Sequence, residues 1–219
     1  MHKKYPSFVV LPISGHQTRH AISSFCCAWR NISKPFLYVI GIFVFALSPC
    51  LGADEDPRIA ASHDYASQLQ EALSGKLMAA MQQGGPISAI EVCQIEAPRI
   101  AAELSSSGEP SRVWRTALKL RNPNNAPDDE ASGVMQQFTQ SLAEGDKPPM
   151  TEFITYPDGS ARYMQSIIMQ PPCLACHGGS LPEDVQAAIA ERYPEDEATG
   201  FEVGDLRGAF VVDWPVPGQ

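Results

Sequence analysis

Apolar positions recur at three- and four-residue steps early in the chain: Ile59, Ala66, Leu69, Leu73, Leu77 and Met81. A stripe of that period predicts an amphipathic helix over 58–82, ended by Gly84-Gly85. Pro86 suits the first turn of a second helix, whose apolar face carries Ile87, Ile90 and Ile95 and whose body contains Cys93. Pro98 lacks the N–H needed by the helical ladder, so it is expected to end that helix or to restart it toward Leu104. The period then changes. From Arg112 to Leu120, the residues Trp114, Thr116, Leu118 and Leu120 alternate with Val113, Arg115, Ala117 and Lys119, which predicts a strand. A turn-rich run follows at 121–127. Asp128 is placed to cap a helix carrying Ala131, Val134, Met135, Phe138 and Leu142, closed by Gly145. Strands are expected over 152–156 and 161–168, joined by the turn Pro157-Asp158-Gly159. Pro182, Glu183 and Asp184 open a further helix to about Arg192, and 207–214 reads as a last strand. Helices come first, then strands with helices between them. That order predicts an α+β domain built on an antiparallel sheet, with no internal repeat and no long linker within 54–219.

The first 53 residues do not belong to this pattern. An uncharged apolar block, FLYVIGIFVFAL from Phe36 to Leu47, is preceded by basic residues and followed by Ser48, Pro49, Cys50, Leu51, Gly52 and Ala53. Basic region, apolar core and small-residue exit in that order read as an export segment, 1–53, with cleavage expected near Gly52 or Ala53. The block is shorter than the roughly 20 residues a spanning helix needs, although an uncleaved anchor is the alternative. The domain at 54–219 is therefore expected outside the cytoplasm, in a periplasm or an equivalent compartment. Charge divides at the same boundary. Residues 1–53 hold five basic residues and no acidic ones, while the remainder holds 11 basic against 25 acidic, a balance of −14. So acidic a domain argues against nucleic acid as a partner.

Three of the six cysteines, Cys26, Cys27 and Cys50, lie in or at the end of the export segment, and only Cys93, Cys173 and Cys176 follow it. An odd number leaves no complete disulfide framework. Two of the three stand in Cys173-Leu174-Ala175-Cys176-His177, and C-x-x-C-H reads as a c-type haem attachment site. Both thiols would form thioethers to one porphyrin edge, and the adjacent His177 would give its imidazole to the iron. Gly178 and Gly179 are expected to leave room for backbone beside a flat, bulky group. Cys93 is then the remaining thiol, either a further ligand or a small buried hydrophobe. His63, Met150, Met164 and Met169 are competing sixth ligands, and methionine would raise the potential. A Cys₃His zinc set of Cys93, Cys173, Cys176 and His177 is chemically legitimate, but adjacent Cys176 and His177 suit it poorly. A thioredoxin-like pair lacks its βαβ context. Arg112, Arg115, Lys119, Arg121, Arg162 and Arg207 hold over half of the basic charge of 54–219. They could neutralise haem propionates through charge-assisted hydrogen bonds, with Arg115, Arg121 and Arg162 singled out, or else form a solvated strand face or pair with nearby carboxylates. No nucleophilic triad, phosphate loop or catalytic carboxylate pair is found, so no enzymatic activity is expected.

Several separated motifs together resemble a known family of c-type haem domains with a PAS-like fold, found as small exported cytochromes and in the ectodomains of sensor kinases. They are Ala89-Ile90-Glu91-Val92-Cys93 with Ala97-Pro98, the run from Arg115 to Pro127, Arg162-Tyr163-Met164, Cys173 to Gly178, and Tyr193-Pro194 through Gly200-Phe201 to Ala209. The one departure is Ala117, where a small hydroxyl residue is expected. The resemblance implies a PAS-like antiparallel sheet with flanking helices around one covalent haem c. It also implies an axial pair made of His177 and Cys93. The expected protein is an exported mono-haem cytochrome serving redox or gas sensing, or accessory electron transfer. A separate redox partner or transducer protein would be needed for sensing, since no kinase segment follows within 219 residues. A conventional electron-transfer cytochrome with a Met or His sixth ligand and a zinc-stabilised binding module are the alternatives.

Overall fold

The structure is a computed structural model and describes residues 55–106 and 108–218. The export segment predicted for 1–53 lies outside the described residues. Among those described, no helix is long and apolar enough to cross a membrane.

Helix α1 (Pro57–Ser106) is two helical arms separated by two residues. Gly84 (φ −149, ψ 17) and Gly85 (φ 67, ψ −159) are the only non-helical positions within it. The positive φ of Gly85 is open to glycine at no steric cost, so a Gly-Gly pair followed by Pro86 both breaks and restarts the helix. Two expectations for the second arm change. Pro98 neither ends nor restarts the helix, which runs on to Ser106. The lost ladder bond is offset by burial on both sides of it, at Ala97 and Ile100. The inward face is also different. Ile87 and Ile95 are exposed, whereas Ala89, Ile90, Ala97 and Ile100 are buried, with Cys93 on the same side by its three- and four-residue spacing.

Four antiparallel strands form one sheet in the order β1-β4-β3-β2, where β1 is Arg112–Thr116, β2 Thr151–Thr155, β3 Ala161–Ile168 and β4 Leu206–Trp214. The chain is thus α+β, a four-stranded antiparallel sheet with flanking helices. Alternation decides what each face meets. Val113, Tyr163, Phe210, Val212 and Trp214 pack with Ala66, Leu69 and Ile100 of α1. The indole N–H of Trp214 donates to Ser62 Oγ at 2.7 Å, which fixes the first arm to the end of β4. The opposite face, with Trp114, Met164, Ala209 and Val211, is covered by α2 (Asp129–Glu144) through Ala131, Val134, Met135 and Phe138. Helix α2 starts and stops where its residues predict. The Asp128 carboxylate accepts from the N–H of Ala131, and Gly145 takes the left-handed conformation (φ 96).

β1 ends four residues earlier than its alternation suggests, at Thr116. The cause lies on the neighbouring strand. Ile167 pairs with Gly208 but Ile168 pairs with Leu206, so Arg207 is an extra residue in β4 and makes a β-bulge there. Gly208 lies so close to β1 that a Cβ on it would stand 2.2 Å from the Thr116 carbonyl oxygen and 3.2 Å from Ala117 Cβ. Gly208→Ala is expected to destabilise the domain by about 1–3 kcal/mol, the range of an overpacked core. Urea unfolding of both proteins checks this, and an unchanged midpoint would mean that the two strands separate freely there.

Candidate functional site

A cavity of about 910 Å³ lies where β1 and β4 part, between both arms of α1 and the segment that follows β3. Cys93, Cys173, Cys176 and His177 all line it. The chain brings them there by local rules. After β3, Pro171–Cys173 form a 3₁₀ turn and Leu174–His177 form a single helical turn, α3. Residues three apart on such a turn share a side, which places both motif thiols toward the cavity. Cys93 approaches from the second arm of α1, between Ala89 and Ala97, which line the same wall. All three cysteines are free, half-buried thiols.

His177 is held from behind. Its Nδ1 lies 2.7 Å from the Ala198 carbonyl oxygen, which can only accept, so Nδ1 carries the proton and Nε2 keeps its lone pair. Burial, with the nearby charges of Arg207 and Arg121, pushes the imidazole pKa down to about 2, so the ring is neutral at ordinary pH. The backbone N–H of Phe201 donates to the His177 carbonyl at 3.0 Å, and the Phe201 ring meets the imidazole edge-on at 6.2 Å. Burial likewise pushes the Cys93 thiol up, while Arg115, Arg121 and Arg207 pull it down.

Arg121 organises this loop. Its guanidinium donates to the Asp196 carboxylate (2.9 and 3.2 Å), to the Cys176 carbonyl (2.7 Å) and to the Ala198 carbonyl (3.2 Å). The Ala198 oxygen therefore accepts from both Arg121 and His177. The Arg121 and Asp196 side chains are 8% and 7% exposed, so this is a buried ion pair rather than a surface one. Arg121→Ala would strand a buried carboxylate and is expected to cost about 3–5 kcal/mol. Arg121→Lys would recover only part, because an ammonium cannot span the same planar set of acceptors. Chemical denaturation measures both, and a loss under about 1 kcal/mol, the range of an exposed pair, would contradict the assignment.

The other expected residues separate. Arg115 lines the cavity. Arg162 does not, and the propionate role expected for it is corrected: it sits on the α2 face of the sheet, bound to Asp213 (2.7 Å), Asp128 (2.7 Å) and Glu130 (3.3 Å). Strand parity puts it there, beside the inward-facing Tyr163. None of Met150, Met164 and Met169 reaches the cavity wall. Met164 and Met150 pack against α2, and Met169 is fully buried with Ala198 and Phe201. His63 lines the outer part of the cavity with a largely exposed ring. The zinc set is not formed, since among the described residues no three His, Cys, Asp or Glu side chains converge on one ion-sized point. Gly178 and Gly179 do not line the cavity either. Gly178 instead serves the turn itself, where a Cβ would stand 2.8 Å from the Leu174 carbonyl oxygen. Sequence reasoning named Arg207 among the basic residues but passed over Asp196 and the Ala198 carbonyl. Only the run of motif residues from Tyr193 to Ala209 signalled that this segment belongs to the site.

The lining suits one large, flat, anionic group. Two thiols stand one turn apart, a neutral imidazole presents a bare nitrogen, a third thiol comes from a separate wall, and the guanidinium groups of Arg115 and Arg207 face the same space. No curated protein matches the chain. Among solved structures it is similar to the cyanobacterial heme-protein Tll0287, with 27% identity and a TM-score of 0.55 over 75% of this chain and 99% of that one. The model of the Tll0287-like family matches residues 57–215, from the start of α1 to the end of β4. The family resemblance carried by the separated motifs is borne out, and the chain belongs to the Tll0287-like family.

Proposed function

We propose that this chain binds one haem, held covalently as haem c through Cys173 and Cys176, and that His177 and Cys93 are its axial ligands in a PAS-like domain. The observation that carries the reading is the meeting of these four side chains on one cavity of about 910 Å³, with His177 already fixed in the tautomer that an iron ligand requires. The cavity is at the upper end of the range for small-molecule and cofactor sites, about 300–1,000 Å³. The similar cyanobacterial structure is described as a heme-protein, which supports the same cofactor here.

When bound, haem would supply one-electron chemistry at iron, with a potential tuned over about 0.8 V by its axial ligands. The chain's own residues set the rest. Ala198 keeps the His177 ring oriented and its Nδ1 proton in place. Arg121 and Asp196 hold the turn that carries both thiols. Cys93 as a thiolate would bring negative charge to the iron and favour the ferric state. Arg115, Arg121 and Arg207 favour that thiolate by their positive charge. A low-potential site with one displaceable thiolate fits redox or gas sensing, or accessory electron transfer, better than a high-potential shuttle. Covalent attachment also fits the export segment expected at 1–53, and in a periplasm or its equivalent a separate redox partner or transducer would meet the domain. The test is a pyridine haemochrome spectrum of protein purified from a host able to attach haem c. One c-type haem per chain is expected, and a colourless protein with three free thiols would end the proposal.

A further inference from the structure

Three guanidinium groups line the cavity, and they are not equivalent. Arg121 already spends its charge on Asp196. Arg115 and Arg207 have no such partner. Among the described residues the Arg115 guanidinium makes no hydrogen bond or ion pair, and the opposing charges that act on it are those of Cys93 and Tyr193. Arg207 donates to one backbone carbonyl, that of Lys119 at 3.3 Å, and its guanidinium lies 5.6 Å from the centre of the Phe201 ring. Neither meets a carboxylate. Two half-buried guanidinium groups with no carboxylate in contact are costly in a water-poor cavity, even though Asp196 acts on Arg207 from a distance. Burial depresses the basicity of both, and for Arg207 it is reinforced by the like charges of Arg121 and Arg115, down to about 10.

The fold takes trouble to put Arg207 there. Gly208, Phe210 and Val212 point to the α1 face, so an unbroken strand would send Arg207 to the α2 face with Ala209. The bulge opposite Ile167 and Ile168 breaks that parity, and Arg207 and Gly208, neighbours in sequence, both line the cavity. Arg115 reaches the same space from the adjacent strand, β1. Of the three arginines, Arg115 acts most strongly on Cys93 and Arg207 most strongly on His177.

We infer that Arg115 and Arg207, and neither Arg121 nor Arg162, are the pair that neutralises the two haem propionates. The inference rests on the haem reading above. Two free positive charges meet two carboxylates, and the remaining guanidinium groups are already matched by Asp196 and by Asp128, Glu130 and Asp213. The pair also offsets the negative charge that a Cys93 thiolate adds to the iron.

The experiment uses the haem-loaded full chain. Resonance Raman spectra and redox titrations are recorded for the wild type, Arg115→Gln, Arg207→Gln and Arg162→Gln. Each of the first two is expected to shift the propionate bending band. Each should also move the ferric–ferrous equilibrium about tenfold toward ferric, a potential 59 mV lower. Arg162→Gln should leave both unchanged. Arg115→Lys and Arg207→Lys keep the charge but lose the fork, so they should shift the band while moving the potential less, and they serve if a glutamine variant fails to fold. A propionate band that stays in place in both the Arg115 and the Arg207 variants, or one that moves only in Arg162→Gln, overturns the inference while leaving haem binding intact. Wild-type protein without haem absorption overturns the haem reading itself.

Discussion

Cys93→Ala is expected to change the ferric optical and electron paramagnetic resonance spectra and to raise the reduction potential by about 59 mV or more, at least a tenfold shift toward ferrous. The physical reason is charge. A thiolate donates a full negative charge to the iron and so stabilises the more positive ferric state. Alanine removes it and leaves no ligand at that position, where Ala89 and Ala97 flank it; the nearest other candidates lining the cavity, His63, Met78 and Met81, come from the first arm of α1. The variant should therefore bind an added small ligand, such as carbon monoxide in the ferrous form or imidazole in the ferric form, more readily than the wild type. Stability should fall only modestly, since a half-buried thiol is a small hydrophobe. Spectra and potential identical to the wild type would remove Cys93 from the iron and make it a packing residue.

Replacing Cys173 and Cys176 together by serine is expected to abolish covalent attachment completely. Any haem taken up by the double variant should then be extracted by acidified organic solvent, whereas wild-type haem should remain with the polypeptide on a denaturing gel. The turn itself should persist. Its geometry is held by the Arg121 bonds to Cys176 and Ala198 carbonyls and by the backbone bonds of Gly178, Gly200 and Phe201, none of which uses a thiol. His177 should thus stay oriented, and the loss should be of attachment rather than of folding. The single variants are expected to keep one thioether each, with a haem absorption displaced from the wild-type position. Haem still fixed to the double variant after extraction would contradict attachment at this motif.

Much of the frame is legible in the residues because its signals are local. The cap Asp128, the left-handed Gly145, the turn at Pro157-Asp158-Gly159 and the Gly-Gly-Pro break in α1 each act within a few residues, and each appears where the pattern places it. Alternation also recovers β3 in full, over Ala161–Ile168. What cannot be read locally is which side of each element faces the cavity. Ile95 looks more apolar than Ala89 or Ala97, yet the small residues are the buried ones on the arm that carries Cys93. Arg162 and Arg115 look alike in sequence, but strand parity separates them, one toward α2 and its carboxylates and the other toward the cavity. Arg207 is hidden more deeply, since its direction depends on a bulge that only pairing with β3 reveals. Asp196 is hidden too, because its partner Arg121 lies 75 residues away. The motif Cys173 to His177 carries its chemistry in its own letters, whereas a second ligand from α1 requires the tertiary fold to bring two distant segments to one wall.

The most direct test of the central proposal is mass spectrometry of proteolytic peptides from the protein made in a host able to attach haem c, after alkylation of free thiols. The peptide containing Cys173, Cys176 and His177 is expected to carry one haem and no alkyl group, while the peptide containing Cys93 is alkylated at its thiol once the protein is unfolded. Alkylation of both Cys173 and Cys176, with no haem on that peptide, would contradict it.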